Sequence, residues 1–229
     1  MFAASKQLKV VALVPMRHHS ERVPGKNYRP LAGKPLYQHI LDTLLCCSEI
    51  SQVIIDTDSP IIIDGLRAHY PQVIIIERPE HLRADTMSMN QVLLHDIAQV
   101  PADLYLQTHA TNPLLRAETV SRAVRTLVDN YPSFDSLFSV TRKQIRLWDQ
   151  LARPVNHNPA ILLRTQDLPP IYEENSCMYI FTRQTLEQRH NRLGERPYLF
   201  EIPAAEAWDI DEELDFAITD LILSKSLIK

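Results

Sequence analysis

Arg17, Arg22 and Lys26 fall in one polar stretch, Pro15-Met16-Arg17-His18-His19-Ser20-Glu21-Arg22-Val23-Pro24-Gly25-Lys26-Asn27. Arginine grips phosphate oxygens in pairs, and lysine brings a point charge near a reacting phosphorus. Cations and free backbone N–H groups after a buried strand suit a triphosphate; a solvated basic loop is the plainer alternative. Far along the chain stands Asp209-Ile210-Asp211. Alternating carboxylates on an extended segment point two hard oxygen donors to one side, which suits Mg²⁺. The competing reading is a helix cap, with Asp211 as N-cap and Glu212 and Glu213 at the positive helix end. Arg78 and Asp85 form a third group in Arg78-Pro79-Glu80-His81-Leu82-Arg83-Ala84-Asp85-Thr86. Asp85 fits a cap or a loop brace better than a base. Gln107 and His109 are two apart, so on a strand they share a face. His18 and His19, being adjacent, point different ways and make a poor metal pair.

The segments that must position these groups alternate in period. Apolar runs at Leu8–Val14, Val53–Asp56, Val73–Glu77, Ala102–Gln107 and Ser136–Val140 read as strands. Between them, Lys34–Cys46, Ser59–His69, Met89–Ala98 and Ala117–Asn130 read as helices, with Pro60 suited to a first turn. On Ala117–Asn130 one face carries Val120, Val124, Leu127 and Val128. Strand and helix in turn give a mostly parallel sheet covered on both faces, with ligands at the C-terminal strand ends. Prolines 154, 159, 169 and 170 interrupt the pattern from about 141 to 175. That region reads as an inserted lobe of a single domain spanning 1–229. Asn175–Phe181 returns as a strand, and Asp211–Leu223 closes the chain as a helix with Leu214, Ile218, Leu221 and Ile222 on one face.

Composition narrows the function further. Forty-five per cent of the 229 residues are hydrophobic, enough for a sizeable core, and the formal net charge is −4. Nothing in that charge favours nucleic acid as a partner. The three cysteines, Cys46, Cys47 and Cys177, form neither a C-x-x-C pair nor a disulfide framework, and read as reduced, mostly buried thiols. No signal-peptide pattern and no run of ~20 apolar residues is present, so the expectation is a soluble cytoplasmic protein without a membrane partner.

The first motif resembles the N-terminal signature of cytidylyltransferases that make CMP-sialic acid and CMP-linked keto-deoxy sugars. Pro15, Arg17, Ser20, Pro24, Gly25, Lys26 and Asn27 match it, as does Arg29-Pro30-Leu31-Ala32-Gly33-Lys34-Pro35-Leu36. His18 and His19 stand where the family carries two glycines. Arg78-Pro79 through Asp85-Thr86 is similar to a family segment beside the nucleotide. Leu106–Leu115 resembles its sugar-contacting Leu-Gln-Pro-Thr-Ser-Pro-Leu-Arg, and aligning on Thr111 and Pro113 puts His109 at the glutamine. Asp209-Ile210-Asp211 and Asn175–Ile180 also find counterparts.

Pattern and resemblance together imply an α/β fold: a Rossmann-like, mostly parallel sheet with helices on both faces and a small β-hairpin dimerisation lobe. They imply transfer of CMP from CTP to an acidic sugar, with pyrophosphate released, Mg²⁺ as cofactor and a homodimer as the assembly. Arg17, Lys26 and Asp211 are the catalytic candidates. Arg17, Ser20, Lys26, Asn27, Arg78 and Asp85 are the nucleotide candidates, Gln107, His109 and Asn112 the sugar candidates, and Asp209 and Asp211 the metal ligands. Two alternatives stay open: a nucleotidyltransferase for another sugar or polyol phosphate, and a silent nucleotide-binding dimer. A phosphate-loop ATPase is disfavoured, because Gly25-Lys26 runs into asparagine and lacks the spaced glycine.

Overall fold

The computed structural model describes residues 8–225. Its spine is β1 (Val10–Met16), buried along its whole length. Even-numbered residues Val10, Ala12, Val14 and Met16 enter one core layer; Val11 and Leu13 enter the other. A strand buried on both faces needs apolar residues at every position, so it reads as a continuous run. A two-residue hairpin follows, β2 (Pro30–Leu31) and β3 (Lys34–Pro35), turning through Ala32 and Gly33, both at positive φ.

The main body continues as α1 (Leu36–Leu45), β4 (Gln52–Thr57), α2 (Pro60–His69), β5 (Ile74–Glu77), α3 (Met89–Gln99), β6 (Leu104–Thr108) and α4 (Ala117–Asn130). It ends with β7 (Ser136–Lys143), β8 (Ile171–Phe181), α5 (Arg183–Arg189), β9 (Pro197–Glu201) and α6 (Glu213–Ser224). Seven strands form one sheet in the order β5-β4-β1-β6-β8-β7-β9. All run parallel except β8, which opposes both β6 and β7. Residues from α1, α2 and α4 fill one core layer, and residues from α3 and α5 fill the other. The α/β expectation with two covered faces therefore holds.

Local signals fixed several boundaries. Ser59 caps α2 by accepting from the Ile62 N–H, and Pro60 takes the first helical position. The first strand starts two residues later than expected and runs on to Met16. Lys34 lies in β3 rather than in α1, since Pro35 is extended. At the C-terminal helix the expected cap is displaced: Glu212, not Asp211, caps α6, in a capping box closed by Asp215. The expected apolar face of α6 holds only in part, with Ile218 and Ile222 half-buried. Leu214 and Leu221 are exposed, while Phe216 and Thr219 are buried. That helix packs on the β2–β3 side, with Phe216 in a small cluster with Leu31 and Leu36, so a different stripe turns inward. Cys47 and Cys177 are buried and Cys46 is exposed, in line with mostly buried thiols.

Between residues 182 and 201 the structure has α5 and β9, which the periodicity reading left unassigned. At the proline-rich excursion, β7 and β8 continue as an antiparallel pair out to Lys143 opposite Ile171. The chain between them carries only the isolated Trp148–Pro154 bridge and a short 3₁₀ turn, Thr165–Asp167. A bulge separates the two halves of this pairing. Ser139 donates to Asn175 Oδ1 at 2.6 Å and accepts from the Met178 N–H at 2.9 Å, which stitches the bulge. No helix among the described residues is long and apolar enough to cross a membrane.

Candidate active site

The C-terminal ends of β1 and β6 and the loop after β5 surround a cleft of about 510 Å³. Its first wall is the loop leaving β1. Gly25 sits at φ 67 and opens a 3₁₀ turn, Lys26–Tyr28. A Cβ there would come within 2.9 Å of the Tyr28 ring, so glycine suits both the angle and the space. His18 turns away from the cleft. Its N–H donates to Asp58 Oδ1 at 2.7 Å, its Nδ1 meets Ser59 Oγ at 2.8 Å, and its ring stacks on Tyr28. His19 lines the cleft. The pair thus divides its work: one imidazole anchors the loop and the other faces the opening.

Arg17, Arg22 and Lys26 all line the cleft, and each has a stand-in partner. Arg17 pairs with Asp85. Arg22 meets Asp211 at 2.5 Å, and Lys26 Nζ donates to the Ile210 carbonyl at 2.6 Å. Exposed pairs of this kind are worth only ~0–1 kcal/mol, so an entering polyphosphate can displace them. Asn27 donates to the Arg17 carbonyl at 2.9 Å and braces the loop. Ser20 lines the same wall. Asp85 does not cap the next helix; Ser88 does, by accepting from the Gln91 N–H. Asp85 orders the loop through Arg17.

The basic loop and the acidic segment meet across 184 positions of chain, at Lys26 and Ile210. Burial pulls the Lys26 ammonium below its usual range, against the attraction of Asp209 and Asp211. Asp209 keeps open surface but is set among protein atoms. Loss of water and the nearby Asp211 charge push its carboxyl up. Two hard oxygen donors, with Asp209 pressed by the Asp211 charge, are of the kind that suits a divalent cation.

The second wall carries the sugar candidates, and here geometry separates them. His109 lines the cleft. Burial, aided by Arg192 and Lys26, pushes its imidazole down to about 4, so it is neutral at pH 7. Gln107 is fully buried and lies outside the cleft wall. Its amide stands 3.0 Å from His109 Nε2, and its oxygen accepts from Arg192 at 2.5 Å. Asn112 is also buried, and it donates to the Trp208 carbonyl at 3.3 Å. Together with the Ile210 N–H on the Thr111 carbonyl, at 2.9 Å, it ties the acidic segment to the end of β6. Neither Gln107 nor Asn112 lines the cleft, because each side chain turns to neighbouring polar groups. They hold the site rather than face it.

Sequence reasoning missed Arg192. Its guanidinium lies 3.8 Å from the centre of the Tyr179 ring and has a buried Nε without a partner. It sits between α5 and β9, where no periodic signal drew attention. Arg78 lines the cleft as expected, but it is almost fully buried and paired with Asp56, a residue no motif flagged.

A mostly parallel sheet whose strand ends hold a basic loop close to two carboxylates is an α/β architecture suited to a nucleotide. The chain belongs to the cytidylyltransferase family, whose description matches residues 11–224. CMP-N,N'-diacetyllegionaminic acid synthase of Legionella pneumophila is 28% identical over 94% of this chain and 97% of its own length. Pseudaminic acid cytidylyltransferase of Campylobacter jejuni is 24% identical over 92% of this chain and 95% of its own. N-acylneuraminate cytidylyltransferase A of Danio rerio is 25% identical, and the chain spans only 51% of that longer protein. Among solved structures, a CMP:2-keto-3-deoxy-manno-octonic acid synthetase complexed with CTP superposes with a TM-score of 0.70 at 18% identity. The match covers 95% of this chain and 99% of that one.

Proposed function

We propose that this protein transfers CMP from CTP to the anomeric hydroxyl of an acidic keto sugar and releases pyrophosphate. One observation carries the reading: Arg17, Arg22 and Lys26 line one cleft, Arg22 pairs with Asp211, and Lys26 holds the Ile210 carbonyl between Asp209 and Asp211, in a chain matched almost end to end by cytidylyltransferases. The sugar hydroxyl attacks the α-phosphorus, and the bond to the pyrophosphate oxygen breaks. Lys26 and Arg17 stabilise the charge that builds on the leaving pyrophosphate. Arg22 shifts from Asp211 to phosphate oxygens. Asp209 and Asp211 would hold Mg²⁺, which would supply charge neutralisation on the phosphates. Neutral His109 offers a hydrogen bond to the sugar, and Gln107 fixes its ring. Most of the acceleration then comes from positioning and electrostatics.

The dimer belongs to the same reading. Trp148, Leu151, Val155, Ile161 and Leu162 are all exposed on the excursion between β7 and β8, with Leu162 at 90%. Apolar side chains gathered in this way suit a second copy of the chain. A cytoplasmic location is part of the same reading.

The test is pyrophosphate release from CTP and Mg²⁺ with a panel of keto sugar acids: N-acylneuraminic, legionaminic, pseudaminic and keto-deoxy-octulosonic. Release with at least one acid, absent with ATP, GTP or UTP, is the expected result. Turnover only with a polyol phosphate, or none while CTP still binds, overturns the reading.

A further inference from the structure

Beneath the cleft three charged side chains are sealed from water. They are Asp56 on β4, Arg78 after β5 and Asp96 on α3, at 1%, 2% and 1% exposure. Arg78 Nε donates to Asp56 Oδ1. Arg83 Nε holds the Arg78 carbonyl at 2.8 Å. Asp56 Oδ2 and Asp96 Oδ2 are both buried without a donor, and Arg78 Nη2 is buried without an acceptor. His95 Nδ1 stands 3.4 Å from Asp96 Oδ1, and its other ring nitrogen meets Gln99. Donor atoms of Asp56, His95 and Asp96 all lie within 4.8 Å of one another, a spacing that would suit a metal. The Arg78 guanidinium already lies against Asp56, however, so a metal ion would set two cations side by side. Leaving both carboxylates ionised around one guanidinium would instead strand a buried negative charge. A single proton between the carboxyls resolves both difficulties.

We propose that Asp96 is a carboxylic acid that donates to Asp56, fixing Asp56 as the acceptor that keeps Arg78 aimed into the nucleotide cleft. Asp56 and Asp96 are then positioning residues. The electrostatics agree. Burial and the Asp56 charge, against Arg78, push Asp96 up to about 9. Burial also raises Asp56, opposed by Arg78 and more weakly by His95. The role of Arg78 rests on the reading that the cleft takes CTP; the protonated pair does not.

Two readouts on the full chain separate these parts. The first is the melting temperature of wild type and D96N against pH. A carboxyl raised in the folded state gives stability that is complete below its ordinary value and is lost as pH climbs to about 9. The side-chain amide of D96N keeps a donor to Asp56 but has no proton to lose. The lead of D96N over wild type should therefore widen steadily between pH ~6 and ~9. A lead that stays constant across that range overturns the shared proton.

The second readout is CTP kinetics. D96N should keep its KM for CTP within about twofold of wild type, while D96A raises it about tenfold with a smaller change in kcat. D96L, which fills the space but cannot donate, gives the same reading should D96A fail to fold. Folded D96A or D96L with an unchanged KM for CTP overturns the positioning role, and so does D96N as impaired as D96A. Wild type that does not turn CTP over sinks the proposed function instead, and the melting titration still decides the carboxyl pair.

Discussion

Replacing Lys26 by methionine separates catalytic charge from structural charge. The substitution keeps most of the buried stem and removes only the ammonium. Burial costs the ammonium more than Asp209 and Asp211 return, which is why its pKa falls below the usual lysine range. Removing it gives up the 2.6 Å bond to the Ile210 carbonyl, worth ~1 kcal/mol, and recovers the desolvation cost. The melting temperature of K26M should therefore stay close to that of wild type. Turnover should not. A donor aimed at charge that develops only in the transition state is worth about 2.7–4 kcal/mol, or 10²–10³ in kcat. The pH dependence has a definite sign. Folded Lys26 binds its proton less tightly than unfolded lysine, so wild type gains stability relative to K26M as pH rises through the lowered value toward ~10.5. Melting scans between neutral and alkaline pH, paired with a continuous pyrophosphate assay, read both quantities. A folded K26M with kcat within about threefold of wild type would refute the placing of Lys26 on the leaving group.

Other outcomes follow from the same geometry. D209N should fold normally and lose turnover in Mg²⁺ by at least ~10²-fold; undiminished activity at saturating Mg²⁺ removes Asp209 from the proposed metal site. N112A should destabilise the protein by ~1–3 kcal/mol and weaken activity through the displaced Trp208–Asp211 segment, as judged by urea unfolding alongside kinetics. The neutral His109 gives stability that is lost as pH falls from ~6.5 toward about 4, so H109Q should show a flatter acid limb in its melting profile. If the proposed dimer forms through the exposed apolar excursion, L162D should shift it to monomer in light scattering after gel filtration, without lowering the melting temperature of the monomer itself.

Much of the fold was legible because it depends on local period. The helix Ala117–Asn130 was bounded correctly from its apolar stripe, and Ser59-Pro60 announced the start of α2. Where the reading failed, the cause was packing. Leu214 and Leu221 formed a plausible apolar face for α6, but that helix lies against the small β2–β3 hairpin and buries Phe216 and Thr219. The Asp211 cap lost to Glu212 because Asp215 closes a capping box one residue later. Gln107 and Asn112 carry the right chemistry for a ligand, yet their side chains are consumed by Arg192 and by the Trp208 carbonyl.

By itself the sequence determined the strands and helices from β1 to α4, apart from the short β2–β3 hairpin, and it marked the polar loops at the strand ends. Both follow from the spacing of apolar residues along a few turns of chain. Only the tertiary structure decided the strand order, the reversal of β8, and the meeting of Lys26 with Ile210. It also decided that Asp56, Arg78 and Asp96 share one dry pocket and that Arg192 stands behind His109. Such pairings join residues far apart in the chain, and they exist only once each helix has chosen the sheet face against which it loses its water.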